Sequence, residues 1–163
     1  MGIKMGDRCW FRLTCLRKDL PGFREFIVEE FDDEYYKKLL LNFTNDYDEV
    51  DLEIEEMNYG GENEVQELAN KKLTFFVDTG RGDNYDEEEK ICFFGELVSW
   101  VGEGYHVDTT IDWEKEEVTV NQSSIDWLKN FIRVKNLVKK YFAKCEKPEF
   151  LRQLAIKILT QNK

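Results

Sequence analysis

Cys9-Trp10-Phe11-Arg12-Leu13-Thr14-Cys15-Leu16 alternates residue by residue. Cys9, Phe11, Leu13 and Cys15 fall on one side, and Arg8, Trp10, Arg12 and Thr14 on the other. A two-residue period is that of a half-buried strand, because successive strand side chains point to opposite faces. Asp19-Leu20-Pro21 then reads as a helix start. Asp19 is the expected N-cap, and Pro21 sits in the first turn, where its missing N–H is not needed. Phe23, Phe26, Ile27 and Phe31 form an apolar stripe. Asp33 opens a second helical stretch or continues the first, with Tyr35, Tyr36, Leu39, Leu40 and Phe43 as its buried candidates.

Outward from this strand and helix, residues 49–59 read as a second strand. Val50, Leu52 and Ile54 point one way and Asp51, Glu53 and Glu55 the other, with Gly60-Gly61 ending it. A short helix is expected near 64–70, and a third strand at 73–78. Residues 79–90 read as a polar, acidic loop. Residues 91–101 (ICFFGELVSWV) are the most apolar stretch and read as one central strand with Gly95 as a bulge. Residues 105–113 and 117–121 read as a hairpin turning near Glu114-Lys115-Glu116. Ser123 or Ser124 is the expected cap of a long helix, with Asp126 completing a loose capping box. Trp127, Phe131, Val134, Val138, Tyr141, Phe142 and Cys145 recur along it at helical spacing. Pro148 breaks that helix and begins a last one bearing Leu151, Leu154, Ala155, Ile158 and Leu159.

The expected fold is therefore α+β. It has a mostly antiparallel sheet of about six strands, helices after the first and second strands, and a C-terminal helical hairpin. The 163 residues suit one domain, 1–163, with a possible seam at 121–124 before the helical hairpin. A chain of this size buries about 68–70% of its unfolded surface, so it needs neither disulfide nor metal to fold. No apolar run approaches the ~18 residues of a membrane span. The first eight residues carry no apolar signal core and lack the Ser/Thr of a myristoylation site, so a cytoplasmic protein is expected. Cys9, Cys15, Cys92 and Cys145 form no C-x-x-C. With a single His they read as reduced, mostly buried thiols and not as a zinc set.

Charge is distributed unevenly. The net value is −11, but residues 1–24 carry +4, 25–64 carry −13, 65–128 carry −10 and 129–163 carry +8. The acidity has two concentrations: Asp51, Glu53 and Glu55 on alternate strand positions, and the run Asp86-Glu87-Glu88-Glu89. Same-face carboxylates repel, and packing does not require them. One reading is a solvated sheet surface whose charges deter edge pairing. The other is a binding surface for a basic partner. On the long helix, Lys129, Arg133, Asn136 and Lys140 lie opposite the apolar stripe, as on an ordinary solvated face. Its aromatics fall on the stripe and not among the cations, so no stacking groove for nucleic acid forms. The overall negative charge further repels phosphate, and no direct nucleic-acid binding is expected.

Motifs for chemistry are sparse. The Arg-Gly-Asp triplet at 81–83 reads as a flexible loop. Residues 78–89 begin with Asp and end with Glu, but glycines occupy positions where a calcium loop needs oxygen ligands. There is no phosphate-binding glycine loop and no Gly-x-Ser-x-Gly elbow. His106, the one His, shares a strand face with Asp108, Thr110 and Asp112. A His106–Asp108 pair could act as an oriented general base, with Cys92 as a nucleophile from a neighbouring strand, or it could be a half-exposed strand histidine. Asp108, Asp112 and one loop carboxylate are a weak Mg²⁺ set with nothing to grip a phosphate. No metal and no cofactor is expected.

In size and charge the chain resembles immunity proteins and the anti-restriction and anti-CRISPR inhibitors of phage, which bind basic nucleic-acid enzymes. That resemblance implies a non-enzymatic, acidic inhibitor-type protein. Its Asp51, Glu53, Glu55, Asp86, Glu87, Glu88 and Glu89 would engage a basic protein partner. The alternatives are an enzyme using His106 with Asp108, or a small-ligand module built on the apolar sheet.

Overall fold

The computed structural model describes residues 8–80, 86–102 and 107–145. The first strand, β1 (Arg8–Leu16), alternates as its sequence requires. Phe11, Leu13 and Cys15 are fully buried on one face, while Trp10, Arg12 and Thr14 face the other way. Two helices follow, α1 (Leu20–Glu30) and α2 (Asp33–Asn42). Asp32 caps α2, accepting from the Tyr35 N–H at 2.6 Å. Asp19 occupies the cap position of α1, but its carboxylate makes no cap bond. It accepts instead from the Tyr141 hydroxyl at 3.1 Å, a tertiary contact that local reading does not reveal.

The remaining strands are β2 (Glu49–Asn58), β3 (Phe75–Thr79), β4 (Glu88–Phe93), β5 (Glu96–Val101), β6 (Thr109–Asp112) and β7 (Glu117–Val120). Helix α3 (Glu62–Asn70) joins β2 to β3, and α4 (Gln122–Cys145) follows β7. The fold is α+β, as expected, and every strand pair is antiparallel. The described strands form two sheets in place of one: a five-stranded sheet of order β2-β1-β3-β4-β5, and a separate two-stranded β6-β7 hairpin.

The largest departure from the sequence expectation lies at 91–101. This run is not one central strand but the β4–β5 hairpin, turning at Phe94-Gly95, where both residues have positive φ (48° and 91°). A tight two-residue turn of this kind matches the strand twist, and Gly accepts its φ without steric cost. Gly95 is also pressed close: a Cβ there would lie 2.9 Å from the Ala69 carbonyl. Strand β4 also begins earlier than expected, so Glu88 and Glu89 are strand and not loop.

Both faces of the large sheet carry apolar side chains. One face, with Phe11, Leu13, Val50, Leu52, Phe75, Val77 and Cys92, is packed by α1, α2 and α3. The Phe23 ring meets Phe75 edge-on at 5.9 Å. Beside the β1–β2 ladder a bulge sets Glu55 and Glu56 opposite Trp10 alone, so both Ile54 and Met57 turn inward. On the other face α4 lays Phe131, Val134, Val138 and Phe142 over Ile91, Val98 and Trp100, reaching Phe76 and Leu16 at its C-terminal end. Of the α4 stripe, Phe131, Val134, Val138 and Phe142 are buried and Tyr141 is half-buried, whereas Trp127 remains exposed; Lys129, Arg133 and Lys140 are exposed. Neither Ser123 nor Ser124 caps this helix. Asn121 does, its Oδ1 accepting from the Ser123 N–H at 3.0 Å, while Asp126 accepts from the Gln122 side chain. The expected helix after Pro148 lies outside the described residues.

Candidate functional site

Helix α4 covers only part of its sheet face. The part left open runs across β2, β1 and β3 to the upper end of β4, and strand register fixes which side chains meet there. Arg12 stands opposite Glu53 on one side and Asp78 on the other; Asp78 stands opposite Glu89, and Glu89 opposite Trp100. One cross-sheet row therefore reads Glu53, Arg12, Asp78, Glu89, Trp100. At ~4.8 Å per strand, Glu53 and Glu89 are about 14 Å apart. The next row begins Asp51, Thr14, Phe76, where the Thr14 hydroxyl donates to Asp51 at 2.6 Å.

Ion pairing on this surface is partial. The Arg12 guanidinium donates to Asp78 at 2.9 Å and lies 5.3 Å from the Trp10 ring centroid. That hydrogen bond, opposed by partial burial, holds the guanidinium proton more firmly than usual. Lys135 reaches down from α4 to Glu89 at 2.5 Å. At the sheet edge Arg8 pairs with Glu56. Carboxylates still outnumber the cations placed among them. Beyond Asp78, a cleft of about 500 Å³ is lined by Trp10, Gly80, Glu87 and Glu89. Trp10 is 37% exposed at its rim.

The structure brings together most of the carboxylates singled out in the sequence. Asp51, Glu53, Glu87 and Glu89 share the open face or its cleft. Glu55 sits in the exposed bulge at the edge of that face. Glu88 also borders that cleft, but its carboxylate is turned away from the open face. Odd and even positions of β4 diverge, so Glu88 points to the helix-packed face, where it pairs with the buried Lys90 at 3.0 Å. Asp86 is exposed just before β4, at a different cleft. Sequence reasoning did not select Asp78 or Arg12 as site residues. Arg12 carried a signal, the polar phase of the alternating β1, whereas Asp78 follows the apolar run Phe75-Phe76-Val77 and carried none.

The alternative chemistry gains little. His106 lies outside the described residues. Asp108 is exposed at the base of β6, where its N–H donates to the Ser124 hydroxyl at 3.0 Å. Cys92 is wholly buried on the opposite, helix-packed face, and desolvation pushes its thiol up to about 11. Such a thiol is neither accessible nor ionised at neutral pH, so the expectation of Cys92 as a nucleophile is overturned. Cys9 and Cys15 are likewise buried and free. Among the described residues no group of three or more His, Cys, Asp or Glu is arranged to hold a metal ion, and no helix is long and apolar enough to cross a membrane.

Comparison with known proteins returns nothing: no protein-family model, no curated protein and no solved structure matches this chain.

Proposed function

We propose that this chain is a non-enzymatic binding protein whose open, carboxylate-rich sheet face engages a basic surface on another protein. One observation carries the reading. Asp51, Glu53, Asp78 and Glu87 lie on or beside the part of the sheet that α4 leaves uncovered, with Glu89 at its border beneath Lys135. A rigid sheet holds those charges in fixed positions, so little ordering is needed on binding. Carboxylates displayed this way can occupy a surface evolved for phosphates. The partner class is therefore a basic, nucleic-acid-handling protein, and the action is inhibition by occupancy. Long-range attraction would make association fast and sensitive to salt.

Tagged protein would be used to capture partners from the source cell at low salt, beside a variant carrying Asp51→Lys, Glu53→Lys and Glu87→Lys. Basic nucleic-acid-binding proteins should be retained by the native chain and lost several-fold from the variant. Equal recovery of the same partners on both would remove this face from the interaction.

A further inference from the structure

Strand β2 lies at one edge of the five-stranded sheet and pairs with β1 alone. Alternate residues of an edge strand aim their backbone N–H and C=O groups away from the sheet. Neighbouring bonds show which residues these are. The Gly80 N–H donates to the Trp10 carbonyl at 2.8 Å, so even-numbered residues of β1 bond toward β3. The Arg17 N–H donates to the Asp48 carbonyl at 2.8 Å, so odd-numbered residues bond toward β2. Phe11, Leu13 and Cys15 stand opposite Ile54, Leu52 and Val50, which therefore bond inward. Asp51 and Glu53, opposite Thr14 and Arg12, direct their backbone groups outward. Both are exposed, and among the described residues no backbone hydrogen bond reaches those outward groups.

An open edge is a template for another strand, and its side chains decide which strand it accepts. Cross-strand neighbours share a face, so a residue added opposite Asp51 or Glu53 stands beside a carboxylate on the open face. A residue added opposite Leu52 falls on the helix-packed side, next to the core residues Val50 and Leu52 and the half-buried Ile54. The complementary strand therefore alternates basic and apolar residues. A second copy of β2 paired edge to edge would set carboxylate against carboxylate, which is destabilising. The charges that exclude self-pairing are thus the ones that admit a basic strand. The bulge at Glu55–Glu56 interrupts the ladder and limits the template to residues 49–54.

We infer that the basic partner adds to the edge of β2 as an antiparallel strand in which Lys or Arg alternates with apolar residues. Every strand pair in the fold is antiparallel, and that pairing is the more stable per residue. In this register Asp51 and Glu53 each exchange both backbone hydrogen bonds with the basic residue opposite. Main-chain bonds then supply affinity, and the carboxylates supply selection. The inference rests on the basic-partner reading above and deepens it: the contacting segment is extended when bound and lies along the border of the open face.

The probe is a blocked peptide, Lys-Val-Lys-Val-Lys-Val, titrated into the full chain and followed by NMR. Two controls of the same charge carry backbone N-methyl groups, one on its lysines and one on its valines. In the inferred register the lysine N–H groups donate to the Asp51 and Glu53 carbonyls, while the valine N–H groups face away. The unmodified and valine-methylated peptides should bind saturably and slow amide exchange at Asp51 and Glu53 about ten-fold, leaving Trp113 on the hairpin unmoved. The lysine-methylated peptide should bind about five-fold more weakly, and a chain carrying Asp51→Asn and Glu53→Gln should weaken the unmodified probe to a similar degree. Equal binding of the lysine-methylated peptide, or unchanged exchange at Asp51 and Glu53 under saturating probe, would overturn the inference. Loss confined to the valine-methylated peptide would overturn the antiparallel register. Should the peptide fail while the variant carrying Asp51→Lys, Glu53→Lys and Glu87→Lys still loses its captured partners, the open-face reading stands and only strand addition is wrong. Should the peptide add as described but excess peptide leave partner capture undiminished, the partner does not use this edge and the inference is likewise wrong. Should the probe add as described while the native chain captures no basic partner, the partner reading fails and the edge chemistry stands.

Discussion

Replacing Glu88 with Gln tests an ion pair whose lysine the fold has buried. Lys90 Nζ lies 3.0 Å from the Glu88 carboxylate, and the two side chains are 9% and 24% exposed. They sit on the helix-packed face of β4, with Lys90 opposite Val77 and Ser99 on the neighbouring strands. Breaking a buried pair from one side costs about 3–5 kcal/mol, because the remaining charge stays in a poorly polarisable site. Glu88 keeps some solvent contact, which places the loss at the lower end, about 3 kcal/mol. For a chain of this length that corresponds to a fall in Tm of roughly 6–12 °C. The reverse substitution, Lys90→Met, should cost less, since the orphaned Glu88 carboxylate is the more hydrated partner. The double variant Glu88→Gln/Lys90→Met should recover most of the single Glu88→Gln loss. Thermal and urea unfolding of the four proteins would give the cycle. A Glu88→Gln protein melting within ~2 °C of the native chain would refute the reasoning, as would a double variant no more stable than Glu88→Gln alone.

Three further outcomes follow from other parts of the molecule. Val138 is fully buried between α4 and the sheet, so Val138→Asp strands a charge there and should cost more than ~4 kcal/mol, most of a typical domain's stability; a near-native melting temperature would show the helix undocked. Burial raises the Asp19 carboxyl above its usual value, against the lowering effects of the Tyr141 hydroxyl and Lys18, so the fold favours its protonated form. That contribution is present in full below the unfolded-state pKa of ~3.9 and is lost as pH rises through the folded value. Asp19→Asn should therefore melt higher than the native chain at pH 7, with the gap closing as pH falls below 4; a gap constant from pH 3 to 7 would contradict this. In a Cys145→Ser background, a thiol reagent at pH 8 should leave Cys9, Cys15 and Cys92 unmodified in the native state and label all three in denaturant, since all are buried and burial raises the Cys15 and Cys92 thiols; stoichiometric native labelling would show an open core.

Strands with one solvated face were readable from sequence, and those buried on both faces were not. β1 alternates visibly because α1–α3 cover one side while Arg12 and Thr14 stay on the open side. In residues 91–101, Ile91 packs toward α4 and Cys92 toward the opposite core, so no alternation survives to mark where the chain reverses. The turn itself uses Phe94, not the Asn or Asp that announces such turns, and Phe94 sits there against Phe93 and Tyr141. The candidate site divides in the same way. Alternation along β2 places Asp51 and Glu53 together, and that is local information. The neighbours Arg12, Asp78 and Glu89 come from register between strands distant in sequence. Likewise Asp19 looked like a helix cap until Tyr141, 122 residues away, proved to be its donor.

The bulge at Glu55–Glu56 has a consequence for which changes of chain length this protein tolerates. It works as a half-period phase shift in β2. Ahead of it, inward positions are even-numbered, as in Val50 and Leu52; beyond it Met57 is the inward residue. Met57 then lies against Gly61, where an added Cβ would meet its methyl carbon at 2.8 Å and the Phe11 ring at 3.0 Å. Deleting one residue from the bulge would straighten the ladder and, in the same stroke, rotate Met57 outward and pull the Gly60–Gly61 turn off the core. An added residue between Leu52 and Ile54 would misphase everything downstream. The turn at 113–116, held by N–H bonds from Glu114 and Lys115 to Asp112 of its own hairpin, can lengthen or shorten without altering the phase of the five-stranded sheet. Natural or engineered variation in length should therefore accumulate at the β6–β7 tip and be purged from β2.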